Sequence, residues 1–423
     1  MIDIEKLLKA SSGVDDYRIV SKKTASYEVF FVHRNLETVR ATDTVTTDVT
    51  VYVNYDGKLG DSSFALYESM TEEMASEKIA AAVNRAKLAL NQHYELPSGG
   101  CAQAELPSNF ADYALPELAQ HIADVVFAAD AYENGSINAT EIFLYEDTVT
   151  VRNSRGIHKT QVKRHAMIEA IPTWNEGGES VELYEDYRFA SFDAAKVTEE
   201  IDRRMQEVRD RQKAKKLEPQ TLDVALNQLE ISNLLSTILR NMNFASVYMH
   251  ANLYNVGDDL QKDGTGDKLT ITMVKEIPGS IESAAFDSDG LDLRDRTVIK
   301  DGVVVAKYGV NRFAQYLGEE PTGALHCGRV EKGTVTQEEL DSKPYLEIMS
   351  MSGLQVDLFS DYVGGEIRLA YYHENGKKIP VTGISMSARL SDVLKSLRMT
   401  EKTIAQADYE GPEKFILKGM SIL

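Results

Sequence analysis

Apolar residues at helical spacing mark the clearest elements of this 423-residue chain. Ile231, Leu234, Leu235, Ile238, Leu239 and Met242 fall at i, i+3, i+4, i+7, i+8 and i+11, the stripe of a half-buried helix. Three more helices are predicted the same way. One places Ala75, Ile79, Ala82, Val83, Ala86 and Leu90 on one face, a second Val197, Ile201, Met205 and Val208, and a third Leu390, Val393, Leu394 and Leu397. Leu115–Ala129 is also expected to be helical, with Pro116 where a first turn accepts it. Residues 221–226 alternate as a strand does. Residues 363–372 lead through Glu374-Asn375-Gly376 into 378–381, and 296–300 lead through Asp301-Gly302 into 303–306. Asn-Gly and Asp-Gly between β-branched runs predict tight hairpins, because such turns need residues that tolerate positive φ.

The first half reads as an internal duplication. Glu28-Val29-Phe30-Phe31 recurs 113 residues later as Glu141-Ile142-Phe143-Leu144, and Thr38-Val39-Arg40 as Thr150-Val151-Arg152 with one residue of slippage. Each copy has a glycine turn, Asp56-Gly57 and Arg155-Gly156, and closes with one of the amphipathic helices. Residues 96–100, Leu-Pro-Ser-Gly-Gly, form a linker between the copies. The charged run at 209–216 followed by Leu217-Glu218-Pro219 predicts the domain boundary. The expectation is an α+β protein. Its N-terminal α+β domain covers residues 1–217, with repeats over about 15–92 and 125–215 and helices covering strand-rich units. Its C-terminal domain covers 218–423 and is mostly antiparallel β with short helices.

Composition narrows the function classes. A net charge of −20 opposes phosphate backbones, so no direct nucleic-acid partner is expected. No apolar run is long enough to span a membrane, and the N-terminus lacks the apolar core of a signal peptide. Cys101 and Cys327 are the only cysteines, which rules out a disulfide framework. The chain is therefore expected in the cytoplasm.

Candidate chemistry is sparse. None of the eight histidines has another at i+3 or i+4, the spacing that lets two rings share a metal on a helix. The run Asp287-x-Asp289-Gly290-x-Asp292 misplaces the glycine of a calcium loop and lacks its closing glutamate, so it reads as a solvated turn. Residues 264–268, Gly-Thr-Gly-Asp-Lys, lack phosphate-loop spacing and read as a hairpin loop. His326 and Cys327 are the one pair that could carry nucleophilic chemistry. Adjacent residues on a strand face opposite ways, which favours a buried free thiol beside a surface histidine; a cysteine hydrolase using Cys327 is the alternative.

Residues 286–290, Phe-Asp-Ser-Asp-Gly, followed by Thr297-Val298-Ile299-Lys300-Asp301-Gly302-Val303, resemble the F-D-x-D/E-G … T-x-x-I-x-x-G-V block of the TldD/PmbA proteins, which carry the family name "modulator of DNA gyrase" and include metallopeptidases. Residues 375–383 resemble that family's E-N-G-x-x-x-P-V-x-G turn, and 387–394 its closing helix. The resemblance implies where a metal motif, H-E-x-x-x-H, would lie: on the helix after the first C-terminal strand, with a cysteine ligand in a C-G-K string near the C-terminus. Here residues 234–243 of that helix hold no histidine or carboxylate, and 411–417 hold no cysteine. The chain thus resembles the PmbA (TldE-like) branch, whose members pair with a TldD-type subunit that carries the metal and whose complexes cleave unfolded peptides. The resemblance therefore implies no catalytic, cofactor or metal residue in this chain, and either a TldD-like heterodimer partner or a homodimer. The alternative is a stand-alone homodimeric scaffold.

Overall fold

The computed structural model describes residues 2–89 and 91–423, with only the backbone of Glu185; the predicted helical position Leu90 lies outside the described residues. The first half runs α1 (Ile4–Ala10), β1 (Asp16–Val32), β2 (Asn35–Tyr55), β3 (Lys58–Leu66), α2 (Glu72–Ala86) and β4 (Cys101–Glu105). It continues with α3 (Leu115–Ala129), β5 (Gly135–Asn153), β6 (His158–Glu176), β7 (Glu179–Glu182), β8 (Glu185–Phe189) and α4 (Ala194–Lys213). All eight strands join one sheet, ordered β3-β2-β1-β5-β6-β4 with β7 and β8 on β6. Helices cover it: α2 buries Ala75, Ile79 and Ala82 against Val49, Val51 and Val53, and α3 and α4 cover Ile142, Leu144, Ala166 and Ile168.

The first unit runs β1-β2-β3-α2 and the second β5-β6-β7-β8-α4, the same order but for the additional short strand β7. Of the repeated strings, the first pair lies in corresponding strands, β1 and β5, and only the second does not mark equivalent places. Glu28, Val29 and Phe30 pair across the sheet with Phe143, Ile142 and Glu141, so these strings are neighbours that share one core. Thr38-Val39-Arg40 lies in β2, whereas Thr150-Val151-Arg152 lies in β5.

The second half opens with β9 (Gln220–Leu226), α5 (Gln228–Arg240), α6 (Phe244–Tyr248), β10 (Ile271–Val274), β11 (Arg296–Lys300), β12 (Val303–Val304), α7 (Asn311–Leu317) and β13 (Cys327–Val330). Then come α8 (Gln337–Asp341), β14 (Tyr345–Met351), β15 (Gln355–Asp357), β16 (Tyr362–Glu374), β17 (Lys377–Val381) and β18 (Ile384–Arg389). It ends with α9 (Leu390–Ser396), β19 (Arg398–Met399), β20 (Thr403–Gln406), β21 (Tyr409–Pro412) and β22 (Phe415–Ile422). One sheet is ordered β12-β11-β10-β13-β21-β20; the other is β14-β9-β22-β18-β16-β15, with β17 and β19 attached. Apolar residues of both sheets, of α5 and of α9 form a single core that includes Val224, Ile271, Val298, Ile367 and Leu417. The protein is α+β, as expected. Both hairpin turns form as the Asp-Gly and Asn-Gly signals predict, with Asp301, Gly302, Asn375 and Gly376 all at positive φ. The run at 264–268 is not a hairpin loop. Gly264 and Gly266 lie so close to the backbone of Lys395 and Leu397, at the end of α9, that a Cβ at either would overlap it.

The acidic turn at 286–292 is largely seated on the protein rather than solvated, contrary to expectation, with only Ser288 and Asp292 exposed. Phe286 packs with Val151 and Ile157 of the N-terminal sheet, and Asp287 is buried. Arg18 pairs with Asp289, and Lys159 Nζ lies 2.7 Å from Asp292 Oδ1. Gln161 Oε1 accepts a hydrogen bond from the Ala285 N–H at 3.0 Å. Gly290 has φ +78°, and a Cβ there would lie 2.6 Å from Ile157 Cγ2. Only glycine meets both demands. Left-handed strain plus overpacking predicts that Gly290→Ala costs about 2–4 kcal/mol. Denaturant unfolding checks this, and a loss below about 0.5 kcal/mol, the range of neutral surface changes, contradicts it.

Candidate functional site

Helix α5 begins where the Asn227 side chain accepts the Glu230 N–H at 3.1 Å, a regular N-cap. Its apolar face, Ile231, Leu234, Leu235, Ile238 and Leu239, enters the core. It starts earlier than the apolar stripe implies, and so includes one carboxylate, Glu230. That group is buried, receives a hydrogen bond from Asn233 Nδ2 at 3.1 Å, and is pushed above the usual glutamate range by burial. Asn243 does not extend the helix but caps α6, accepting the Ala245 N–H at 3.0 Å.

The other side of α5 lines a cleft of about 370 Å³. Ser232, Ser236 and Arg240 recur every fourth residue, so they form one row along the helix. The facing wall comes from Ala324, Leu325 and His326 and from the β20–β21 turn with Asp408 and Tyr409. Two contacts hold Asp408: its carboxylate accepts from Ser232 Oγ at 3.0 Å, and its carbonyl accepts the Gly328 N–H at 2.8 Å. The floor is apolar, with Leu235, Leu239, Met273 and Leu325 all buried. Near the Arg240 end, burial pushes the Tyr308 hydroxyl up to about 12.

His326 and Cys327 part company here. His326 is exposed and lines the cleft; Cys327 is fully buried on the other side, its Sγ 3.8 Å from Ser280 Oγ. Burial pushes the thiol up to about 11, so at neutral pH it is the weakly nucleophilic thiol and not the thiolate. Three other histidines face carboxylates: His93 with Glu95 at 3.9 Å, His165 with Asp147 at 3.3 Å and His373 with Glu347 at 2.8 Å. Motif and spacing do not single out Arg240, Asn243 or Asp408. The Ser232-Ser236-Arg240 row is a signal in the chain itself, but the facing Asp408 is supplied by the fold alone.

Residues 219–422 match the family model described as the PmbA/TldA metallopeptidase C-terminal domain. The Metalloprotease PmbA of Escherichia coli O157:H7 is 26% identical over 149 residues, 33% of this chain and 32% of that protein, so the match spans about a third of the curated relative's length. Over residues 219–422 the chain belongs to the TldD/PmbA family. The whole fold is shared with solved members. TldE from Thermococcus kodakarensis superposes with a TM-score of 0.80 at 15% identity, covering 99% of this chain and 98% of that one. A Thermotoga maritima protein described as a modulator of a DNA gyrase gives 0.80 at 15% identity, covering 100% and 99%.

The family description implies a metal, and the cleft does not fit one. Its side chains offer one imidazole and one carboxylate, together with the cation Arg240. Among the described residues no group of three or more His, Cys, Asp or Glu is placed to hold a metal ion, and no helix is long and apolar enough to cross a membrane.

The acidic turn reaches this cleft through Asp287. Its carboxylate accepts backbone N–H groups of Asp289 at 2.9 Å, Leu291 at 3.1 Å and Ala324 at 3.3 Å, the last in the cleft wall. Burial, with the nearby Asp289 carboxylate, nevertheless raises its pKa to about 6. A folded-state pKa above the unfolded value means the native state binds the extra proton. This contribution is therefore full below about pH 4 and is lost as pH rises through 6. Relative to Asp287→Asn, the wild type is expected to lose on the order of 2–3 kcal/mol between pH 4 and pH 6.5. Paired unfolding curves across that range check it, and a pH-independent difference contradicts it.

Proposed function

We propose that this chain is the metal-free, PmbA/TldE-like subunit of a TldD-type metallopeptidase complex that processes or degrades unfolded peptides in the cytoplasm. The observation that carries this reading is the surface α5 turns to its cleft. By family resemblance this helix is where H-E-x-x-x-H would lie, yet it presents Ser232, Ser236 and Arg240. The metal, the general base and the attacking water then belong to the partner subunit. This chain contributes wall and peptide contacts. The net charge of −20 argues against direct contact with DNA, whatever the family's name suggests.

A docking edge is available. Residues 35–46 of β2 pair with β1 on one side, while β3 pairs only from Thr47 onward, so their other side has no strand partner among the described residues. Leu36, Val39 and Val45 are exposed along this edge. An unpaired strand of this length suits strand addition by a partner chain. The same edge favours the second reading, a stand-alone homodimeric scaffold, because an antiparallel edge can pair with its own copy.

A peptidase assay separates the two. The purified chain alone is expected to leave an unfolded peptide intact. Addition of a TldD-type partner should produce cleavage that a chelator abolishes, and Val39→Lys with Val45→Lys should weaken that assembly at least tenfold. Chelator-sensitive hydrolysis by this chain alone contradicts the proposal, and failure of any TldD-type chain to associate favours the scaffold.

A further inference from the structure

The α5 cleft has opposite charges at its two ends. Ser232, bonded to Asp408, marks one end, and Arg240 the other. Eight residues of helix at 1.5 Å rise separate these ends by about 12 Å. The Arg240 guanidinium is exposed and has no hydrogen bond or ion pair among the described residues, although acidic side chains outnumber basic ones in this chain. Asn243, Ser246 and His326 add uncharged or titratable hydrogen-bonding groups around the cleft, and its floor is apolar.

We infer that this cleft binds a short peptide with both termini free, its ammonium at Asp408 and its carboxylate at Arg240. An extended chain advances about 3.3–3.6 Å per residue, so a span of about 12 Å takes three or four residues. A cleft of about 370 Å³ has the volume for a ligand of that size. The apolar floor favours apolar side chains in the middle of the peptide. The two charged ends also reject longer chains, because a fourth or fifth peptide bond would carry one terminus past its partner. The site therefore holds the short products of proteolysis rather than an unfolded chain in transit.

This goes beyond the subunit role and is read on the chain alone. A partner-dependent peptidase can exist without the site, and the site can exist without a partner.

Calorimetric titration of the full-length chain with the tripeptide Ala-Leu-Leu tests it. Saturable binding is expected for the free peptide, with at least tenfold weaker binding of the N-acetylated and of the C-amidated forms. Arg240→Gln should erase the penalty for amidation and keep that for acetylation; Asp408→Asn should do the reverse. Each variant retains the response at the other end, so a misfolded protein is recognised by loss of both. Equal binding of free and blocked peptides overturns the inference, as does absence of saturable binding by the folded wild-type chain.

Discussion

The seating of the 286–292 turn on the N-terminal sheet is the constraint on which the two halves of the molecule depend. Phe286 supplies apolar contact with Val151 and Ile157, a burial on the order of 2–3 kcal/mol for a side chain of its size. Arg18 and Lys159 neutralise Asp289 and Asp292. Arg18 and Asp289 are both largely buried, and removing one member of such a pair leaves an uncompensated charge, so this contact fixes position more than it adds net stability. Gly290 brings the backbone close enough for all of them at once. Through Asp287 the same turn holds the Ala324 N–H, and so reaches the wall of the cleft. Other contacts join the halves: Tyr316 donates to the Gln92 carbonyl at 2.6 Å, and Tyr371 donates to Asp210 at 2.8 Å. The turn links the sheet, the interface and the site.

That role explains which parts of the molecule are legible in the sequence. Where a helix buries one face, periodicity reports it directly, and Ile231, Leu234, Leu235, Ile238 and Leu239 all enter the core. Turns that require positive φ announce themselves through Asp301-Gly302 and Asn375-Gly376. The acidic turn misleads because Asp287, Asp289 and Asp292 have the composition of a solvated loop, while their partners Arg18 and Lys159 stand far away in the sequence. The strings Glu28-Val29-Phe30 and Glu141-Ile142-Phe143 lie on neighbouring strands and pair about Val29 and Ile142, a contact between the two units that no local signal announces.

The cleft is legible only in part. A polar row at every fourth residue of a helix ordinarily faces water, so Ser232, Ser236 and Arg240 give no reason to expect a facing wall. That wall arises from topology: β13 and β21 run parallel side by side, and the turn before β21 carries Asp408 to the Ser232 end of α5. Family resemblance points to the same helix on different grounds, as the place for metal ligands. The residues found there are hydroxyls and a guanidinium, hydrogen-bonding groups suited to carboxylate and backbone partners rather than to a metal cation. On a fold shared with TldE of Thermococcus kodakarensis, α5 thus turns hydroxyls and a guanidinium to its cleft.

The most direct measurement of this account is native mass spectrometry with metal analysis of the assembly isolated from cells through this chain. The account predicts a heterodimer in which the companion chain carries H-E-x-x-x-H, with metal following that companion when the subunits are separated. A homo-oligomer of this chain holding one metal ion per copy would contradict it.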